Sequence, residues 1–234
     1  MRLLRSFPGL LVALGLLLVS HEGGARHNPL VVFPPQAEQL PAVLYANLEP
    51  RECLSELEKR ELPFTLGPKH GTIDTPVHLT GTLHGVRFEF ARDVTALPLL
   101  DCRLLLALDD LSKVAAERGI EIVRYNSIQR RGWARGRVQG HLGGVAIDIV
   151  ELVRWDGEVL NVRRDFAGDG VGSDSCGEGS KPFGLGKAAD LRGFLCALDR
   201  ERSFNLLLGP HYDRRHDDHF HFEVRRGVRW FLTQ

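Results

Sequence analysis

The chain lacks a net charge: thirty lysines and arginines match thirty aspartates and glutamates. That balance gives no bulk attraction to nucleic acid or to an anionic surface. Its four cysteines, Cys53, Cys102, Cys176 and Cys196, include no Cys-x-x-Cys spacing, which argues against a structural zinc knuckle. No internal repeat is visible. No long apolar run occurs after residue 25, so the mature chain is expected to be soluble. No cysteine lies near residue 25 either, so a lipid-modified N-terminus is not expected.

The first 25 residues do hold one apolar run, Leu10 to Val19, preceded by Arg2 and Arg5. It is shorter than the roughly 20 residues that a spanning helix needs. With its small-residue exit at Gly23, Gly24 and Ala25 it reads as a signal peptide over 1–25, an uncleaved anchor being the alternative. The expected location is therefore periplasmic or extracellular. About 209 residues then remain (234 minus 25), ample for one domain with its own core. In an oxidising compartment four cysteines read as two disulfides with three possible pairings. Cys53 with Cys102 and Cys176 with Cys196 are favoured, because each pair flanks one segment.

Residues 26–50 carry Pro29, Pro34, Pro35, Pro41 and Pro50 without periodicity and read as an extended linker or arm before a domain over 51–234. A short helix is expected from Glu52 to Arg60. Strand-like alternation follows over 76–92, with Gly81 and Gly85 marking a turn within it. Asp101 is a good N-cap for a helix carrying Leu104, Leu105, Leu108, Leu111, Val114 and Ala115, stopped by Gly119. Further strands are expected over Ile120 to Tyr125, Val145 to Val153, Val159 to Val162, Phe204 to Leu208 and Phe222 to Val224. Asp156-Gly157 supplies a hairpin turn, and Ala188 to Arg202 a second long helix. The pattern is α+β: a small, mainly antiparallel sheet with helices on one face.

Two segments carry chemistry. One is His141-Leu-Gly-Gly-Val-Ala-Ile-Asp148. The other is His216-Asp-Asp-His-Phe-His221, and four of the ten histidines fall within residues 211–221 beside three aspartates. Imidazole nitrogen and carboxylate oxygen are donors that zinc accepts, and three protein ligands leave a position open for catalysis. His141 and Asp148 would lie over 20 Å apart on a continuous strand, at about 3.3 Å per residue, so the chain must turn at Gly143-Gly144 for them to meet. Beyond that turn Ala146 and Asp148 share one strand face, and Val145, Ile147 and Ile149 the other. In the second segment His219 and His221 share a face, with Phe220 and Phe222 opposite. A fourth protein ligand would close the site. His221 is therefore assigned as the third ligand, with His219 as a neighbour that hydrogen-bonds the substrate or the attacking water. Asp218 is the nearest candidate general base, with Asp217 and Glu223 behind it, provided that the chain bends at 218–219. Upstream, Arg124, Arg130, Arg131, Arg135 and Arg137 form either a solvated basic loop or a carboxylate clamp for a peptide.

His141-x-x-Gly144-x-Ala146-x-Asp148 followed by Asp218-His219-Phe220-His221 resembles the D-Ala-D-Ala-type metallopeptidases, whose fold is shared with lysostaphin-type peptidases and the hedgehog signalling domain. Leu208 to His221 resembles more closely the extensin-like C-terminal domain of bacterial secreted proteins. The resemblance spans roughly Cys53 to Val224. It implies Zn²⁺ on His141, Asp148 and His221, a polar active-site role for His219 and peptidoglycan peptides as the substrate class. The function expected on these grounds is a secreted zinc peptidase or amidase, the alternative being a zinc-stabilised peptidoglycan-binding module without turnover. Two positions depart from the resembled pattern. Tyr125-Asn126-Ser127-Ile128 lacks the arginine that would grip substrate, leaving Arg130 or Arg124 for that task, and Gln139 stands where a serine is usual.

Overall fold

The fold is that of a computed structural model, which describes residues 30–69, 71–93, 95, 98–130, 139–167, 170–177, 180 and 185–234. The expected signal peptide and the arginines Arg131, Arg135 and Arg137 lie outside the described residues. In chain order the strands are β1 (Val31–Val32), β2 (Phe64–Leu66), β3 (Pro76–Leu79), β4 (Arg87–Phe90), β5 (Leu99–Asp101), β6 (Ile120–Ser127), β7 (Ala146–Arg154), β8 (Val159–Asn161), β9 (Leu206–Leu208), β10 (Phe220–Glu223) and β11 (Phe231–Thr233). The α-helices are α1 (Pro41–Asn47), α2 (Pro50–Lys59), α3 (Cys102–Glu117), α4 (Val162–Asp165) and α5 (Lys187–Glu201).

The expected α+β class holds, with a main sheet ordered β1-β11-β9-β10-β7-β6-β4 and β8 paired to β7. Its pairings are antiparallel except β11 with β9 and β4 with β6. A second sheet, β2-β3-β5, stands apart. Strands do form within the expected 76–92 segment, but they do not pair with each other. The chain does turn tightly at His84 and Gly85, both at positive φ, where Leu83 and Val86 exchange backbone hydrogen bonds. Beyond the turn, however, β3 pairs with β2 and β5 while β4 runs parallel to β6. Alternation identifies a strand but not its partner.

Residues 26–50 need a larger correction, because most of the described part is folded rather than an extended arm. Pro41 and Pro50 each occupy the first turn of a helix, where a missing N–H costs nothing and a fixed φ is already helical. Glu49 and Glu52 complete a reciprocal cap on α2. Ala42, Val43, Tyr45 and Ala46 are buried, and α1 packs on α3.

Helix α3 begins where expected. The Asp101 carboxylate accepts hydrogen bonds from the backbone of Arg103 (3.0 Å) and of Thr75 (2.9 Å) and pairs with the buried Arg103 guanidinium. Leu104, Leu105 and Leu108 of α3 share one continuous core with Phe194, Leu195 and Leu198 of α5 and with Ile147, Ile149, Phe220 and Phe222 of the central strands. Both favoured disulfides are present. Cys53–Cys102 ties α2 to α3, and Cys176–Cys196 ties the chain between α4 and α5 to α5. Among the described residues no helix is long and apolar enough to cross a membrane.

Candidate metal centre

The centre is built where β7 and β10 pair. Their antiparallel register sets His221 directly opposite Asp148, with Phe220 against Ile149 and Phe222 against Ile147. Directly opposed residues hold their Cβ atoms about 5 Å apart, so the two polar side chains rise together from one face. The four apolar ones bury on the other face, as the alternation predicts.

His141 reaches the same face by the expected turn. Residues Gly140–Gly143 form one turn of 3-10 helix, and Gly144 ends it at φ 65°. A β-carbon at Gly144 would lie 3.0 Å from the Asp101 amide nitrogen and 3.1 Å from Ile73 Cδ1, so both conformation and space demand glycine. The Gly144 carbonyl accepts the Asp101 N–H at 2.9 Å, which fastens the His141 turn to the start of α3. Gln139 exchanges two hydrogen bonds with the Arg226 backbone, pinning the entry of the turn.

Three atoms converge. His141 Nε2 lies 3.0 Å from Asp148 Oδ1 and 3.2 Å from His221 Nδ1, and His221 Nδ1 lies 3.0 Å from the same oxygen. Two metal–ligand bonds of about 2.1 Å at a tetrahedral angle set their atoms about 3.4 Å apart. These buried and half-buried residues could hold a metal ion.

The outer nitrogens show how the inner ones could face a cation. His141 Nδ1 is 3.1 Å from the Ile128 carbonyl, which can only accept, so with a metal bound Nδ1 would keep the proton and Nε2 would present its lone pair. His221 Nε2 is 3.4 Å from Glu223 Oε2, whose other oxygen accepts the Gly140 N–H at 3.1 Å. That contact favours a lone pair on Nδ1 when a metal takes the site. Without a metal, a proton fills the gap. Burial disfavours charge on His221, but hydrogen bonds to Asp148 and Glu223 outweigh it and its pKa is pushed up to about 9. Burial likewise opposes ionisation of Asp148, and hydrogen bonds from His141 and His221 overcome it, holding the carboxyl far below the usual range.

No family model, curated protein or solved structure matches the chain. The site therefore rests on its own geometry.

His219 stands beside the three converging residues. Its Nε2 is 3.4 Å from Asp148 Oδ1, and its Nδ1 is held at 2.7 Å by Asp218 Oδ1. Asp218 precedes β10 and is 42% exposed, so it meets the centre through His219 rather than directly. Arg130 donates from Nη2 to Asp148 Oδ2 at 2.6 Å and from Nε to Ser127 Oγ at 3.1 Å, with 59% of its side chain exposed. Arg124 is committed elsewhere, between Glu89 (3.3 Å) and Glu151 (3.0 Å).

Sequence reasoning missed three partners. Ser127 is aimed at the site by a bulge: between Tyr125 and Ser127 the register on β7 advances by only one residue, from Ile149 to Asp148. Asp213 caps a 3-10 turn and holds His216 Nδ1 at 2.7 Å, forming a second aspartate–histidine pair whose ring centre lies 5.2 Å from that of His219. Burial draws the His216 pKa below its ordinary value, outweighing the raising effect of Asp213. Glu223, weighed only as a reserve base, instead orients His221. The spacing of Asp213 and His216, three residues apart, was the one local signal of such a partner.

Proposed function

We propose that the chain is a secreted zinc-dependent peptidase or amidase acting on peptide bonds of peptidoglycan. The observation that carries the reading is the convergence of His141, Asp148 and His221 beside a histidine backed by an aspartate. Two imidazoles and one carboxylate suit zinc and leave a coordination position open. Zinc bound there supplies Lewis-acid polarisation of a carbonyl and acidifies a water.

The remaining chemistry belongs to the chain's own side chains. Asp218 holds His219 by Nδ1, fixing the ring with Nε2 beside Asp148 Oδ1. The pair takes the proton from the attacking water and returns it to the leaving nitrogen. Arg130 uses two of its five N–H donors on Ser127 and Asp148, and with 59% of its side chain exposed the others would meet a substrate carboxylate. Support for peptidoglycan comes from the resemblance carried by the motifs at 141–148 and 218–221. Two disulfides fit an oxidising compartment, where such a substrate is found.

The test is metal analysis of the purified chain, followed by digestion of peptidoglycan with mass measurement of released products. Zinc at one equivalent and a released peptide or amine are expected. Asp218→Asn should keep zinc content and melting temperature while lowering turnover by about 10²- to 10⁴-fold. Zinc and peptidoglycan binding without product, equal in wild type and Asp218→Asn, would make the chain a binding module instead.

A further inference from the structure

The two oxygens of Asp148 have different neighbours. Oδ1 faces His141 Nε2 and His221 Nδ1, each at 3.0 Å, and so points at the centre. Oδ2 faces the Arg130 guanidinium at 2.6 Å. Arg130 is itself anchored, because its Nε–H goes to Ser127 Oγ at 3.1 Å. Nε and one terminal nitrogen lie along one edge of the planar fork, so a single guanidinium edge spans Ser127 and Asp148. The bulge in β6 makes this possible by setting Ser127 opposite Asp148 in the register.

We infer that Arg130 is a positioning residue for the metal, holding Asp148 to single-oxygen coordination and thereby making the centre selective for a four-coordinate ion. The inference rests on the metal reading above. A carboxylate that binds an ion through both oxygens must either share Oδ2 between the ion and the guanidinium, two cations that repel each other, or lose a charge-assisted hydrogen bond. With Oδ2 withheld, the protein offers two nitrogens and one oxygen. One further ligand completes a tetrahedron. An ion that prefers six ligands, such as Mn²⁺, forgoes the second carboxylate oxygen that would favour it. A lysine could neutralise Asp148 but could not grip Ser127 and Asp148 from one rigid edge.

The test uses the full chain as wild type, Arg130→Ala and Arg130→Lys, with Co²⁺, Zn²⁺ and Mn²⁺ as probes. Arg130 is largely exposed, so both variants should fold, which unchanged circular dichroism would verify. Wild type loaded with Co²⁺ should show the intense visible bands of a four-coordinate ion. Both variants should lose that intensity, and their preference for Zn²⁺ over Mn²⁺ should fall by about tenfold or more. Unchanged bands and preference in both variants would overturn the inference while leaving the metal centre standing, as would weak bands in wild type. Wild type that binds none of the three ions would remove the metal reading itself, and this inference with it.

Discussion

Metal binding at this centre must expel a proton, which makes affinity depend on pH in a calculable way. In the metal-free chain His221 has a pKa pushed up to about 9, because its ring lies between the Asp148 and Glu223 carboxylates. A metal needs the Nδ1 lone pair, so at pH 6 the protonated ring competes with it. Each pH unit below 9 weakens apparent binding about tenfold, or about 1.4 kcal/mol. Raising the pH from 6 to 8 should therefore tighten Zn²⁺ binding at least about 100-fold. Competition against a chromophoric chelator at pH 6, 7 and 8 measures this. Calorimetry at pH 7 in two buffers of different ionisation enthalpy should report about one proton or more released per ion. Affinity that changes by less than about threefold over that range, with no proton released, would refute the placement of His221 between two carboxylates and on the metal.

The same pair sets the pH dependence of the metal-free fold. The His221 pKa is higher folded than unfolded, so its contribution is complete below about 6.5 and fades as pH rises through about 9; it amounts to about 3 kcal/mol at most. Asp148 has the opposite sign: its depressed pKa stabilises the fold above the ordinary carboxylate range and is lost on acidification below it. Both describe one ion pair and count once. Metal-free protein should thus melt earlier at pH 9 than at pH 6.5, and metal-loaded protein should show a smaller difference.

Three further outcomes are expected. Glu223→Ala frees the outer nitrogen of His221 and should weaken Zn²⁺ binding about 10- to 100-fold with the three ligands intact, read by the same chelator competition. Gly144→Ala places a side chain at φ 65° against Asp101 and Ile73, and should cost at least about 1–2 kcal/mol in denaturant unfolding. Replacing Cys53 and Cys102 by serine opens a 49-residue separation and should cost about 4 kcal/mol, against about 3 kcal/mol for the 20-residue separation of Cys176 and Cys196, measured under the same conditions.

The sequence by itself determined what local periodicity controls. Alternation along 145–149 and 219–223 decided which side chains share a face, because successive strand residues must point oppositely. The cap at Asp101 and the leucine spacing after it decided α3, and Gly143-Gly144 announced the turn that brings His141 to Asp148. Pairing over distance was decided only by the tertiary structure. Nothing local specifies that His221 stands opposite Asp148, that β3 and β4 join different sheets, or that a bulge turns Ser127 toward Arg130. The prolines at 41 and 50 looked like breakers, and became helix starts because α1 and α2 could pack on α3. Asp218 and Arg130 show the same limit at the site. Their charges were legible, but whether each touches the centre directly or through a neighbour depends on where separate segments cross, and that is set by the packing of the whole core.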